Sequence, residues 1–395
     1  MAQTEPSALK PPTLRLTDGG PAATLFHHLR LDHSGRKRDV ARVALIFALG
    51  TWLPLVLLSG FDGVLFKGTH IPLLYDFGPH VRFLFSLPVL ILADIPIANR
   101  VQRTMDHLVT GGLIPKHQEQ DFIALIEKSI RLRDSRVAAA LLIFITAGFE
   151  WWAVSSQLRL GVGTWMEPAA GGTFSQAGCW FAFVSLPIYQ FIVLRWGYRI
   201  IVWGYFFSGL AKLDLLLTAT HPDGAGGIGF LGRSIVPFGA IGLSLSAVFS
   251  ATIASRVLFA GEDIYRELPG YGVIVAFSLA IAVGPLLFFM PKLYALRYQG
   301  LAQYGMLATA YTRAFQARWI TPGAAEDAEL LGNADIQSLA DLGNSYQIIQ
   351  DMKLVPVTPL NLIGVTLPSL IPALPLAAIM MPLGDLLRTL AQVIL

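Results

Sequence analysis

Apolar residues run along this chain in long unbroken blocks, near 41–60, 81–98, 137–155, 179–203, 234–258, 271–291 and 357–383. Blocks of this size match the ~20 residues an α-helix needs to cross the hydrocarbon of a bilayer. The pattern predicts an all-α polytopic membrane protein with about seven transmembrane helices. Between the blocks the apolar residues fall three or four apart instead. Phe122, Leu125, Ile126 and Ile130 put one apolar stripe on a helix over Pro115–Asp134, and Leu339, Leu342, Tyr346 and Ile349 put one on Ile336–Lys353. After the sixth block, Leu293, Leu296, Tyr304, Leu307, Tyr311 and Phe315 keep that spacing, so a rod of about 42 Å should extend from Lys292 to Trp319. The fourth block should likewise run past the membrane to near Leu217, and Thr321-Pro322 should cap a short helix through Leu331. These pieces predict a helical extension outside the bilayer.

The last block differs from the rest. Pro368, Pro372, Pro375 and Pro382 withhold amides from the carbonyls of Gly364, Pro368, Ile371 and Ala378. Wound as a helix, the four prolines share one side with Asn361 and Gly364, while Thr366 and Ser369 take the other. Unpartnered carbonyls are costly in hydrocarbon, so the proline side should meet water or protein and not lipid. The functional reading is a span lining a conduction pathway. The structural reading is a kinked packing helix whose neighbours repair the backbone.

Composition agrees with a membrane location, at 54% hydrophobic and 14% charged residues against about 25% charged in soluble domains. A net charge of +3 gives no reason to invoke nucleic acid, but most of the 29 Lys and Arg gather in the segments before span one, between spans two and three, and beyond spans four and six. The positive-inside rule then places the N-terminus in the cytosol and the C-terminus outside, unless the prolines let the last span re-enter. Residues 1–20 read as a disordered tail with no cleavable signal peptide, and 21–39 as an interfacial basic amphipathic segment. A six-span membrane domain follows over 40–291, with cytosolic helices near 99–136 and 204–233. Residues 292–356 supply the cytosolic bundle segment, and 357–395 the last span and a short C-terminal helix.

Ionisable residues at membrane depth are functional suspects by default. Asp94 can reach Arg195 or Arg199 near the inner ends of their helices, and Glu150 can meet Arg82 near the outer interface. Both sets read first as structural ion pairs, since pairing is how such charges are tolerated. The loop holding His221, Asp223, Gly224, Gly226 and Gly227 formally matches G-x-G-x-x-G at Gly224, Gly226 and Gly229, but follows a helix and not a strand. It reads as a tight turn, or as a nest whose free amides hold an anion at the inner mouth. Gly242, Ser246, Ser250 and Ala254 mark a close-packing face on span five. One cysteine excludes an internal disulfide, and no catalytic, cofactor-binding or metal-ligating set is legible, so no enzyme is expected.

The runs Thr220–Gly232 (THPDGAGGIGFLG) and Asn333–Tyr346 (NADIQSLADLGNSY) resemble a family of uncharacterised bacterial integral membrane proteins, which implies a bacterial inner membrane and supplies no activity. The layout of seven spans, cytosolic bundle and split last helix is similar to that of insect odorant-receptor channels, by analogy of fold alone. The sequence leads to a homo-oligomeric channel. Its pathway would be lined from Asn361, Gly364, Thr366, Pro368, Ser369, Pro372 and Pro375, with the lipid bilayer and copies of itself as partners. A secondary transporter of a small solute, or a non-conducting sensor or scaffold, is the alternative.

Overall fold

The computed structural model describes residues 19, 37–152, 163–169, 172–261, 263–321 and 333–376. The expected tail, most of the interfacial segment, the short helix to Leu331, and the last span beyond Leu376 with Pro382 lie outside them. Helices α1 (Lys37–Phe61), α2 (Phe77–Thr110), α3 (Glu119–Arg133), α4 (Arg136–Trp152), α5 (Gln176–Leu210), α6 (Phe230–Phe259), α7 (Ile264–Ile320), α8 (Ala334–Gln350) and α9 (Pro359–Leu376) carry the fold. Among the described residues there is no strand, only an isolated bridge between Ile71 and Thr164. Six of these helices, α1, α2, α5, α6, α7 and α9, are long and apolar enough to cross a membrane. The chain is an all-α polytopic membrane protein. The expected third span corresponds to α4, described as far as Trp152.

The helices alternate in direction, which gives the bundle two distinct ends. At one end, here the loop end, Trp165 donates its backbone amide to the Ile71 carbonyl, Ala177 donates to Asp62, and Phe77 donates to Ser255. At the opposite end lie α3 and a hairpin of α7 with α8. Helix α7 is 57 residues long, about 85 Å against a hydrocarbon core of about 30 Å, so roughly two thirds of it extends beyond that core. Gly300 lets Ile349 of α8 approach closely, and Tyr311 and Trp319 donate to the carbonyl and carboxylate of Asp335 in the first turn of α8.

Helix α5 stops at Leu210 and not near Leu217. The reason is a change of period. Leu213, Leu215 and Leu217 turn inward while Asp214, Leu216 and Thr218 face out, an alternation that belongs to extended chain and that a run of leucines hides. The Leu216 amide is answered by the Leu113 carbonyl, and the Lys292 ammonium donates to the Leu213 carbonyl, so this strand-like segment is stitched to α7 and to the end of α2.

Candidate functional site

The four places that the sequence marks are built differently. In α9, Asn361 is 6% exposed and Ser369 is fully buried. Both lie against α6: a methyl group at Gly232 would sit 2.6 Å from the Asn361 amide nitrogen, and one at Gly239 would sit 2.8 Å from the Gly364 carbonyl and 3.2 Å from the Pro368 ring. Ser369 donates to Ser278 of α7 beside Gly242. Pro368, Pro372 and Thr366 are partly covered and Pro375 is exposed. The proline side therefore meets protein, as the energetics of broken helix bonds require. From Asn361 to Pro368 that side meets the closely fitted α6, while Pro375 is exposed. The face of α9 left open carries Leu360, Ile363, Leu367, Leu370 and Leu374. Gly239→Leu should wedge α9 from α6 and cost about 1–3 kcal/mol through overpacking, read as a lower melting midpoint in detergent. Gly343→Ala on α8, where a methyl meets open space, is the neutral comparison.

Asp94 opens the segment of α2 that follows a break at Ala93. Arg199 of α5 donates to its Oδ1 at 2.5 Å, and Arg195 lies 4.0 Å from its Oδ2. All three are buried. The Arg199 guanidinium also lies 4.9 Å from the Trp196 ring, and the Trp196 indole donates to the Leu90 carbonyl at 2.9 Å, fastening α5 to α2 just before the break. This cluster is bound up in its own contacts.

The glycine loop is equally self-contained. Gly224, Gly226 and Gly227 take positive φ, which points successive amides inward, and the Asp223 carboxylate accepts from Ala225, Gly227 and Gly229 at 2.8, 3.1 and 2.8 Å. His221 Nδ1 sits 2.9 Å from the same carboxylate. Burial pushes the Asp223 carboxyl up, but the three amides and His221 outweigh it and hold the group below the ordinary carboxylate range. The nest thus exists, and its anion is the protein's own side chain. The amides expected for an external anion are occupied. Lys353 donates its amide to the Gly224 carbonyl at 2.8 Å, which makes this loop the joint between the α7/α8 hairpin and the membrane helices.

The loop-end half of the bundle is different. Arg82 of α2 is half-buried, with its guanidinium 5.7 Å from the Phe181 ring and 5.8 Å from the Tyr189 ring of α5. Asp76, Glu150 and Tyr189 lie within its electrostatic reach. Asp76, however, is engaged by Trp165, Ser255 and the Gly78 amide. Glu150 of α4 is 6% exposed and near Arg82, with the Gln190 side chain close enough to lend it a hydrogen bond, yet among the described residues neither of its oxygens has a partner in good hydrogen-bond geometry. Arg82 Nε and Gln190 Oε1 are also buried without one. No direct Arg82–Glu150 ion pair forms among the described residues. The two charges stand as neighbours that attract each other without a direct bond, and part of their bonding capacity is left open.

Two local distortions place this set. Helix α2 widens to a π-helix over Val81–Ser86 and α5 does so over Phe181–Ser185, and π segments concentrate at functional sites. Each is followed by Leu-Pro, Leu87-Pro88 and Leu186-Pro187, where the proline withholds the amide that a regular helix would supply to Leu84 or Phe183. Below the widened turns, Ser86 bonds the Tyr189 hydroxyl at 3.0 Å and the Ser244 hydroxyl at 2.5 Å, which ties α2, α5 and α6 together and floors the site. Tyr189, Gln190, Ser86 and Ser244 escape the sequence reading. The signal that marks them is the repeated Ser-Leu-Pro, at Ser86 and at Ser185, with a lone amide side chain shortly after the second.

No family model, curated protein or solved structure matches this chain.

Proposed function

We propose that this protein is a membrane carrier for a small polar solute, bound among Arg82, Glu150 and Gln190 between α2, α4 and α5. A single observation carries the reading: among the described residues four buried polar atoms without a well-formed partner, Arg82 Nε, both Glu150 oxygens and Gln190 Oε1, share one region of the bundle. Burying such groups unpaired costs on the order of 1–3 kcal/mol each, more when charged, and a bundle that keeps several together gains nothing in stability from them. The charge bias supports a cytosolic α7/α8 hairpin with the site opening toward the outside, and the family resemblance supports a bacterial cytoplasmic membrane.

A homo-oligomeric channel is the second reading, and a specific observation favours its assembly half. Outside the bilayer, α7 leaves Tyr298 68% and Met306 69% exposed, on a stripe that also includes Tyr294 and Ala302. Lipid does not reach a surface that far from the hydrocarbon, so a second copy of the rod is our choice of cover. Uptake by proteoliposomes and current in planar bilayers separate the two functions. Saturable uptake reduced at least tenfold by Glu150→Gln supports the carrier, and unitary current steps insensitive to that change overturn it.

A further inference from the structure

The bonding capacities left open at this site define the kind of molecule that completes it, and the inference rests on the carrier reading only for where the molecule goes afterwards. Three of the orphan atoms are acceptors: the two Glu150 oxygens and Gln190 Oε1. The fourth, Arg82 Nε, is a donor that belongs to a fork-shaped cation. An ammonium group brings three N–H donors and a positive charge. A carboxylate brings acceptors in the geometry a guanidinium recognises. A simple anion would answer Arg82 and leave Glu150 buried with its oxygens facing a like charge. A simple cation would answer Glu150 and leave Arg82 unmet. We propose that the site takes a small zwitterion of the amino-acid type, its carboxylate on Arg82 and its ammonium on Glu150 and Gln190.

The surroundings fit this division of labour. Phe181 and Tyr189 lie within cation–π range of the guanidinium, and among the described residues its Nε has no hydrogen-bond partner. Asp76, the other acid within reach of Arg82, is held by an indole, a hydroxyl and an amide, which leaves the arginine to a ligand. On the acid side, α4 carries Glu150 directly before Trp151 and Trp152, both of which are exposed. The acid therefore sits in the last described turn of α4, two residues before Trp152.

The test uses the full-length purified protein in nanodiscs. The melting midpoint is followed with L-leucine, and with its two halves, 4-methylpentanoate, which lacks the amine, and 3-methylbutylamine, which lacks the carboxylate; glycine, L-alanine and L-glutamine extend the zwitterion series. Stabilisation by at least one zwitterion, with apparent affinity about tenfold or more above both of its halves, is the expected result. Arg82→Gln should abolish the advantage over the amine, and Glu150→Gln the advantage over the carboxylate. Equal stabilisation by a zwitterion and one of its halves, or none by any zwitterion, overturns the assignment. Binding without uptake in proteoliposomes retains the ligand class and sinks the carrier instead.

Discussion

Asp94→Asn should remove most of the folded protein from the membrane. The carboxylate lies between two buried guanidiniums, bonded to Arg199 at 2.5 Å and 4.0 Å from Arg195. Asparagine keeps the shape and one acceptor but withdraws the negative charge, and deleting one member of a buried ion cluster costs about 3–5 kcal/mol because the remaining charge stays behind. Against a total stability of about 5–15 kcal/mol that is a large share. The loss should appear as a collapse of the monodisperse peak in detergent and a sharply lower melting midpoint. Adding Arg195→Gln to Asp94→Asn should recover part of it, since the buried positive charge falls by one. Asp341→Asn, on the exposed face of α8 with its carboxylate accepting from Gln337, should behave as wild type. Wild-type yield and melting for Asp94→Asn would mean that the cluster holds nothing together and that its charges serve another purpose.

Legibility follows how local each determinant is. The apolar blocks are long because hydrocarbon leaves every backbone group to be satisfied within the helix, so span positions can be read from single-residue hydropathy. The same holds for the rod Lys292–Trp319, whose three-to-four spacing survives as the continuous helix to Ile320. Asp94 with Arg199 was readable because both sit at similar depth in neighbouring helices. Three things were not. Leucines at 213, 215 and 217 serve a helix or an extended segment equally well until a neighbour, here the Leu113 carbonyl, chooses. Which side of α9 is covered depends on where α6 places Gly239 and Gly242, a tertiary fact that the helical wheel of α9 lacks. And Arg82 with Glu150 reads as a pair because opposite charges at one depth usually are, whereas the guanidinium, carried on the widened turn of α2, lies within reach of the Phe181 and Tyr189 rings and forms no direct ion pair with Glu150 among the described residues.

Asp223→Ala should loosen the hairpin from the membrane helices without unfolding either. One carboxylate fixes three amides of the loop, and with the loop so fixed the Gly224 carbonyl is placed to receive the Lys353 amide. Hydrogen bonds to a charged group contribute about 1.5–3 kcal/mol each, and water recovers part of that at a side chain 23% exposed, so the net loss should be about 2–3 kcal/mol. It should be local: hydrogen exchange should quicken at Ala225, Gly227, Gly229 and Lys353 while amides within α6 keep their protection. The sign of the pH dependence follows from the lowered folded-state pKa. A depressed carboxyl contributes stability that is fully present above its unfolded value of about 4 and is lost as pH falls through the folded value. Acid should therefore open the joint in the wild type below about pH 4. Asp223→Asn, which keeps an acceptor but cannot titrate, should exchange at an intermediate rate with that acid step missing. An unchanged acid step in the asparagine variant would place the titrating group elsewhere and leave the loop held by its glycine geometry alone.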